Sequence, residues 1–161
     1  MKLFDNSFLV VIDVRIGGEY MEICITSLLR EKGFKVTPQR LAIYNMLAST
    51  KSHPNAEMIF NDLQPMYPTM SLATVYKTME ILKEIGLVQV LNAGEDSFRY
   101  DADTSNHPHV RCIKCGQVED VEHIDSADFV DQVSQGTKYQ VVGQQFYFYG
   151  ICPRCQSKEL N

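Results

Sequence analysis

Two cysteine pairs of identical spacing, Cys112-x-x-Cys115 and Cys152-x-x-Cys155, constrain this chain more than any other feature. Two sulfurs three residues apart on a tight turn reach adjacent corners of a tetrahedron. Two such turns complete a Zn²⁺ shell with Zn–S distances of ~2.3 Å. Gly116 follows the first pair and Pro153 sits inside the second, as tight turns require. A redox dithiol would need only one pair. Four thiolates leave no open coordination position, so this zinc is expected to hold the fold and to do no chemistry. The fifth cysteine, Cys24, falls in an apolar helical stripe and reads as a small buried hydrophobe.

Metal-binding thiols suit a reducing compartment, and the rest of the chain agrees. No apolar run reaches the roughly 18 residues that a membrane-spanning helix needs, and the run at 8–14 is too short. A lone Lys2 precedes that run and no small-residue cleavage site follows it, so no secretory signal is read and a cytoplasmic location is expected.

From Met21 the helical signals are regular. Ile23, Leu28 and Leu29 form a stripe ended by Gly33. Thr37-Pro38 supplies a cap and a first-turn proline for a helix with Leu41, Ile43, Tyr44 and Leu47. Asn55 caps a third helix with Met58, Ile59 and Leu63, which Pro65 and Pro68 close. Ser71 opens a fourth with Leu72, Val75, Met79 and Leu82, stopped by Gly86. Apolar residues at 87–91, a turn at 92–96 and Ser97-Phe98-Arg99-Tyr100 then read as a hairpin. Short helices ending in a two-stranded hairpin are the parts of a winged helix-turn-helix. After about residue 102 the pattern changes to strands at 109–113, 117–121 and 139–149 around a helix near 125–135. The aromatics Phe146–Tyr149 suit either a sheet edge or subunit interface, or a buried strand. The fold class is α+β in two small domains, 21–101 and 102–161, with a hinge near 100–106.

Residues 1–20 fit neither domain. Codons for Ile16–Met21 accommodate a purine-rich ribosome-binding sequence just before a start codon, so 1–20 is expected to be a non-native or disordered leader. The competing reading is a genuine disordered or edge-strand arm.

Charge alone argues weakly for DNA. The net charge of −5 divides into +1 over 21–92, −5 over 93–161 and −1 over 1–20. Phosphate binding would have to rely on local basic clusters and helix N-termini. The acidity sits where metal ligands need it. His107-x-His109 places two imidazoles on one side of an extended segment just before the first cysteine pair. Asp101 ends the hairpin, Asp120 follows the cysteine turn, and His53 precedes Pro54 far upstream. Three imidazoles and two carboxylates make a shell suited to Fe²⁺ or Mn²⁺, and less exclusively to Zn²⁺. By itself, the sequence pattern reads His53 and Asp101 as surface residues, leaves His-x-His open between metal ligation and no such role, and cannot bring in His53 from so far away.

The chain resembles the ferric uptake regulator (Fur) family from Met21 to Glu159, and most of all its peroxide-sensing branch. The resemblance is carried by Val36-Thr37-Pro38-Gln39-Arg40, Ser52-His53-Pro54, Ser71-Leu72-Ala73-Thr74-Val75-Tyr76 and Phe98-Arg99-Tyr100-Asp101. His107-Pro108-His109, the Cys112/Cys115 turn and Tyr149-Gly150-Ile151-Cys152 continue it in the same order. It implies a homodimeric winged-helix repressor of double-stranded operator DNA, with 102–161 as a small α/β dimerisation domain. It implies a regulatory ion on His53, Asp101, His107, His109 and Asp120, with His53 and His107 as the oxidation-sensitive ligands. Asp120 and Pro108 depart from the iron-sensing branch, where Glu and Asp are usual, and favour peroxide sensing over the alternative of iron sensing. The fourth helix is the expected reader: Tyr76 for a thymine methyl, Lys77 for a base edge or phosphate, and the Ser71 end for a phosphate. Lys35 resembles the family's minor-groove contact. Lys35 and Lys77 also read as solvated surface, and Arg99 as either a phosphate contact or a brace for the hairpin. His123 has no counterpart and reads as exposed, with a third metal site as the lesser reading. Two other classes compete. A metallohydrolase would need a general acid or base, and none is placed for it. A zinc-stabilised interaction module would lack metal-dependent DNA binding.

Overall fold

The computed structural model describes residues 11–16, 19–92, 98–121, 127–142 and 144–159. His123 and most of the hairpin turn expected at 92–96 lie outside the described residues, as does the Cys24 side chain. The chain starts with β1 (Val11–Ile16) antiparallel to β2 (Glu19–Cys24), pairing Ile12 with Ile23 and Val14 with Met21. This corrects the start of the first helix. Ile23 and Cys24 are committed to a strand register, so α1 runs Ile25–Glu31. The boundary expected between 20 and 21 falls inside β2, with no structural break there.

The next helices begin at the expected caps: α2 (Pro38–Ala48), α3 (Ala56–Leu63) and α4 (Leu72–Glu84). Thr37 Oγ1 accepts from the Arg40 N–H at 3.2 Å, Asn55 Oδ1 from Met58 at 2.8 Å and Ser71 Oγ from Thr74 at 3.2 Å. Each cap satisfies an amide that the helix leaves unpaired, worth about 1 kcal/mol. Gly33 and Gly86 end α1 and α4 in the left-handed region, both at φ 78°. There the N–H groups of Phe34 and Leu87 return to Leu29 O and Leu82 O. The inward stripes meet in one core, where Ile25, Leu29, Ile43, Ile59, Val75 and Leu82 are fully excluded from water. Burying each contributes about 1.5–3 kcal/mol. The opposite face of α4 leaves Tyr76 and Lys77 exposed. The wing follows as β3 (Gln89–Asn92) antiparallel to β4 (Phe98–Asp101), with Gln89 opposite Asp101.

The C-terminal region is a three-stranded sheet in the order β6-β5-β7, formed by β5 (His109–Cys112), β6 (Val118–Asp120) and β7 (Tyr147–Gly150). Two helices join it, α5 (Ala127–Thr137) and α6 (Pro153–Glu159). β5 and β6 are antiparallel, β5 and β7 parallel. The long strand expected over 139–149 shrinks to β7. Its partner β5 starts only after Pro108, which has no N–H to give, and the ladder opens with His109 N–H to Phe146 O at 3.0 Å. Among the described residues β7 is an edge strand with Phe148 and Tyr149 exposed, in line with the sheet-edge reading of these aromatics. Leu91 of the wing packs on Val118 and Tyr147 of this sheet, so an apolar contact joins the two regions beside the sites described next. Among the described residues no helix is long and apolar enough to cross a membrane.

Candidate metal centres

The parallel pairing of β5 with β7 sets Cys112 opposite Gly150 and so brings the two cysteine turns together. The first turn closes through Gly116 N–H to Cys112 O at 2.9 Å, with Gly116 at φ 71°. The second turn is the start of α6, with the N–H groups of Cys155 and Gln156 donating to Cys152 O. All four Sγ atoms lie within 4.8 Å of one another. Cys115 Sγ and Cys152 Sγ are 3.7 Å apart, too far for a disulfide and close to the about 3.8 Å edge of a tetrahedron built on ~2.3 Å Zn–S bonds. The electrostatics fit a cation as well. The backbone N–H groups of Cys152 and Cys115 draw the Cys112 thiol down to about 6. The neighbouring sulfurs, Cys152 first, push Cys155 up to about 12. Sulfurs packed this closely cannot all ionise until a positive ion sits among them.

The second cluster collects ligands from three places. His53 lies in the loop before α3, Asp101 ends β4, and His107, His109 and Asp120 come from β5, β6 and the segment leading to β5. Sequence spacing gave no way to bring in His53. The structure does it by laying the His53-Pro54 loop along β4, with Tyr100 N–H donating to Pro54 O at 3.1 Å. His53 adopts φ 44°, a left-handed conformation costing on the order of 1–3 kcal/mol for such a residue. Its ring is thereby buried, 1% exposed, within the cluster.

His53, Asp101, His109 and Asp120 each offer a ligand atom, and these lie within 4.8 Å of one another. His107 joins them, its Nε2 lying 3.1 Å from Asp120 Oδ1 and 3.3 Å from Asp101 Oδ2. His53 Nε2 is 2.6 Å from Asp120 Oδ1, and His109 Nε2 is 3.5 Å from Asp101 Oδ2. Donors bonded to one ion at about 2.1 Å stand about 3.4 Å apart in a tetrahedral shell, which is the scale seen here. Two ring nitrogens, His53 Nδ1 and His109 Nε2, are buried with no hydrogen-bond partner among the described residues, an arrangement a bound cation would satisfy. The His107 Nδ1 side faces Ser105 O at 3.0 Å, which sets the tautomer and leaves Nε2 free to ligate.

The local field also favours a positive ion. Burial alone would raise the Asp101 carboxyl, but the adjacent His107 and His109 rings, the Asp103 N–H and the nearby His53 ring hold it well below the usual range. His107 is raised to about 9 by its bond to Asp101, against the opposing effect of burial. The proton held on His107 marks the place where a metal ion would compete.

A residue not singled out from sequence completes this site. Gln89 Nε2 donates to Asp101 Oδ2 at 2.9 Å while Asp103 N–H donates to Asp101 Oδ1 at 2.8 Å, so both carboxylate oxygens are oriented. A polar residue directly opposite a ligand in a hairpin was the available signal.

Of the residues expected to meet DNA, Lys35, Ser71, Tyr76 and Lys77 are exposed. Ser71 Oγ is engaged in capping α4, and Lys77 pairs with Glu80 at 3.0 Å. Arg99 makes contacts within the structure. Its guanidinium is turned inward, with Nη2 donating to Gly116 O at 3.1 Å and Nη1 to His53 O at 3.4 Å. These bonds accord with the bracing reading of Arg99.

Residues 31–149 match the Ferric uptake regulator family. The chain belongs to that family. It is 49% identical over 134 residues to "Transcriptional regulator PerR" of Clostridium acetobutylicum, spanning 83% of this chain and 97% of that protein. The solved Campylobacter jejuni peroxide stress regulator is similar at 31% identity and a TM-score of 0.65, covering 83% of this chain and all of that one. The ferric uptake regulator Fur of Helicobacter pylori superposes with a TM-score of 0.70 at 20% identity over 82% of this chain and 89% of that one, a likeness of fold. The chain is therefore a transcriptional regulator of this family, a homologue of peroxide-responsive repressors, and not an enzyme. Its four-cysteine and His/Asp clusters are consistent with zinc and with iron or manganese respectively.

Proposed function

We propose that this chain is a cytoplasmic, metal-dependent repressor that binds operator DNA as a homodimer and is released by peroxide through oxidation of its own ligand histidines. The observation that carries the proposal is the second cluster, because His53 belongs to the winged helix-turn-helix (21–101) and His107, His109 and Asp120 to the C-terminal domain (102–161), with Asp101 at the junction. Ligands drawn from both domains bind an ion best when the domains are closed, so the ion stabilises that arrangement by its differential affinity. In a dimer, closure sets the two α4 helices to successive major grooves roughly 34 Å apart. Zn²⁺ on Cys112, Cys115, Cys152 and Cys155 holds the dimerisation domain. Lys35, Ser71, Tyr76 and Lys77 remain the proposed DNA contacts.

Ferrous iron in the His/Asp site would supply one-electron reduction of peroxide beside its own ligands. His53 and His107 are the rings we expect to gain an oxygen, the first buried against Asp120 and the second half-buried against Asp120 and Asp101. An oxidised imidazole ligates poorly, the two domains lose their shared anchor, and the repressor leaves DNA. The test is to load the zinc-containing protein with Fe²⁺ or Mn²⁺, add a low dose of peroxide, and follow DNA binding together with peptide masses. Loss of binding with iron alone, with added oxygen on the His53 or His107 peptide, supports the proposal. Equal resistance of the two forms places the chain with iron-sensing repressors.

A further inference from the structure

Arg99 and Asp101 alternate on β4 and project to the same side of the wing. Asp101 enters the His/Asp cluster. Arg99 reaches in parallel to the cysteine turn, where Nη2 meets the carbonyl of Gly116, the residue after Cys115. Its second nitrogen, Nη1, meets the carbonyl of His53. Gly116 is held in the left-handed region at φ 71°, and a Cβ there would stand 3.8 Å from Arg99 Nη2. One rigid guanidinium thus touches the backbone of the four-sulfur turn and the backbone of a histidine in the other cluster.

We infer that Arg99 is a positioning residue that couples the two metal centres energetically. The inference rests on reading both clusters as metal sites. Zinc fixes the 112–116 turn and with it the Gly116 carbonyl. Arg99 carries that placement to the His53 loop, whose backbone is already held in a costly conformation. By thermodynamic reciprocity, filling the His/Asp site must then tighten the zinc turn by the same factor. The planar fork of arginine serves two carbonyls at once, which the single ammonium of lysine does not.

The test uses the full-length zinc-loaded chain. Zinc release to an excess of a chelating dye is timed with and without saturating Mn²⁺, and Mn²⁺ affinity is titrated separately. In the wild type Mn²⁺ should slow zinc release on the order of tenfold. In Arg99→Met the slowing should vanish and Mn²⁺ affinity should fall, while zinc content stays full and Mn²⁺ still binds at saturation. Arg99→Lys should restore only part of the slowing, which guards against a variant that merely folds badly. A wild-type protein that binds Mn²⁺ yet releases zinc at an unchanged rate would overturn the inference, as would undiminished slowing in Arg99→Met. A wild-type protein that binds no Mn²⁺ would instead overturn the reading of the His/Asp cluster on which the inference stands.

Discussion

Replacing Gln89 by leucine separates orientation of a metal ligand from its charge. The Gln89 amide donates to Asp101 Oδ2 at 2.9 Å, and Asp101 is itself only 4% exposed, so water cannot readily substitute for the lost donor. Two effects oppose each other. Without the amide the carboxylate becomes more basic, which favours a cation. It also becomes free to rotate away from His107 and His109, 3.3 and 3.5 Å distant. Hydrogen bonds to a charged group contribute about 1.5–3 kcal/mol, and loss of an outer-sphere partner typically weakens metal binding by about 10–100-fold. Orientation therefore wins, and Gln89→Leu should bind Mn²⁺ about 10–100-fold more weakly with its zinc content unchanged. Titration of the zinc-loaded protein with Mn²⁺, reading free Mn²⁺ by electron paramagnetic resonance, checks this. Affinity equal to or above that of the wild type would refute the reasoning.

Four further outcomes follow from the same geometry. Cys112→Ser should release zinc and unfold or monomerise the C-terminal domain, because binding energy at such a site is folding energy; metal analysis and sedimentation read it. Leu82→Ala, at a fully buried position of α4, should cost about 2–5 kcal/mol in chemical denaturation and lower DNA binding only through stability. In protein free of regulatory metal, the folded pKa of His107 is raised to about 9. Its stabilising contribution is thus fully present below the unfolded value of about 6.5 and lost as pH rises through about 9, and Mn²⁺ affinity should climb over the same interval as the proton leaves. Removing residues 1–20 should leave Mn²⁺-dependent DNA binding intact, since among the described residues β1 pairs only with β2; a loss of binding on truncation would speak against a dispensable leader.

Local chemistry was legible in the sequence wherever neighbouring residues decide it. Thr37, Asn55 and Ser71 cap their helices and Gly33 and Gly86 end theirs, because caps and left-handed turns are short-range statements, while the convergence of the four cysteines was legible from ligand chemistry, since a tetrahedral ion needs both pairs. Long-range pairing was not legible. The length of β7 is decided by a four-residue partner strand that starts after Pro108, and Ile23 reads as helical only until Ile12 is known to lie opposite it. The His53 ligand became plausible only through resemblance, and its physical cause is the bond from Tyr100 N–H to Pro54 O. The neighbours of Arg99 were equally out of reach. A cationic residue on a wing suggests phosphate, yet two internal carbonyls claim it, and nothing within the sequence marks Gly116 and His53 as its neighbours.

In the proposed mechanism an ion held by ligands from both domains switches DNA binding on. The decisive experiment measures the affinity of the zinc-loaded chain for a duplex selected in the presence of Mn²⁺, as Mn²⁺ is titrated in, for the wild type and for His53→Ala. Binding should be weak without Mn²⁺, rise as the His/Asp site fills, and show no rise in His53→Ala, which lacks the histidine of the winged domain. Tight binding by the zinc-only protein, unaffected by Mn²⁺ and by the loss of His53, would contradict it.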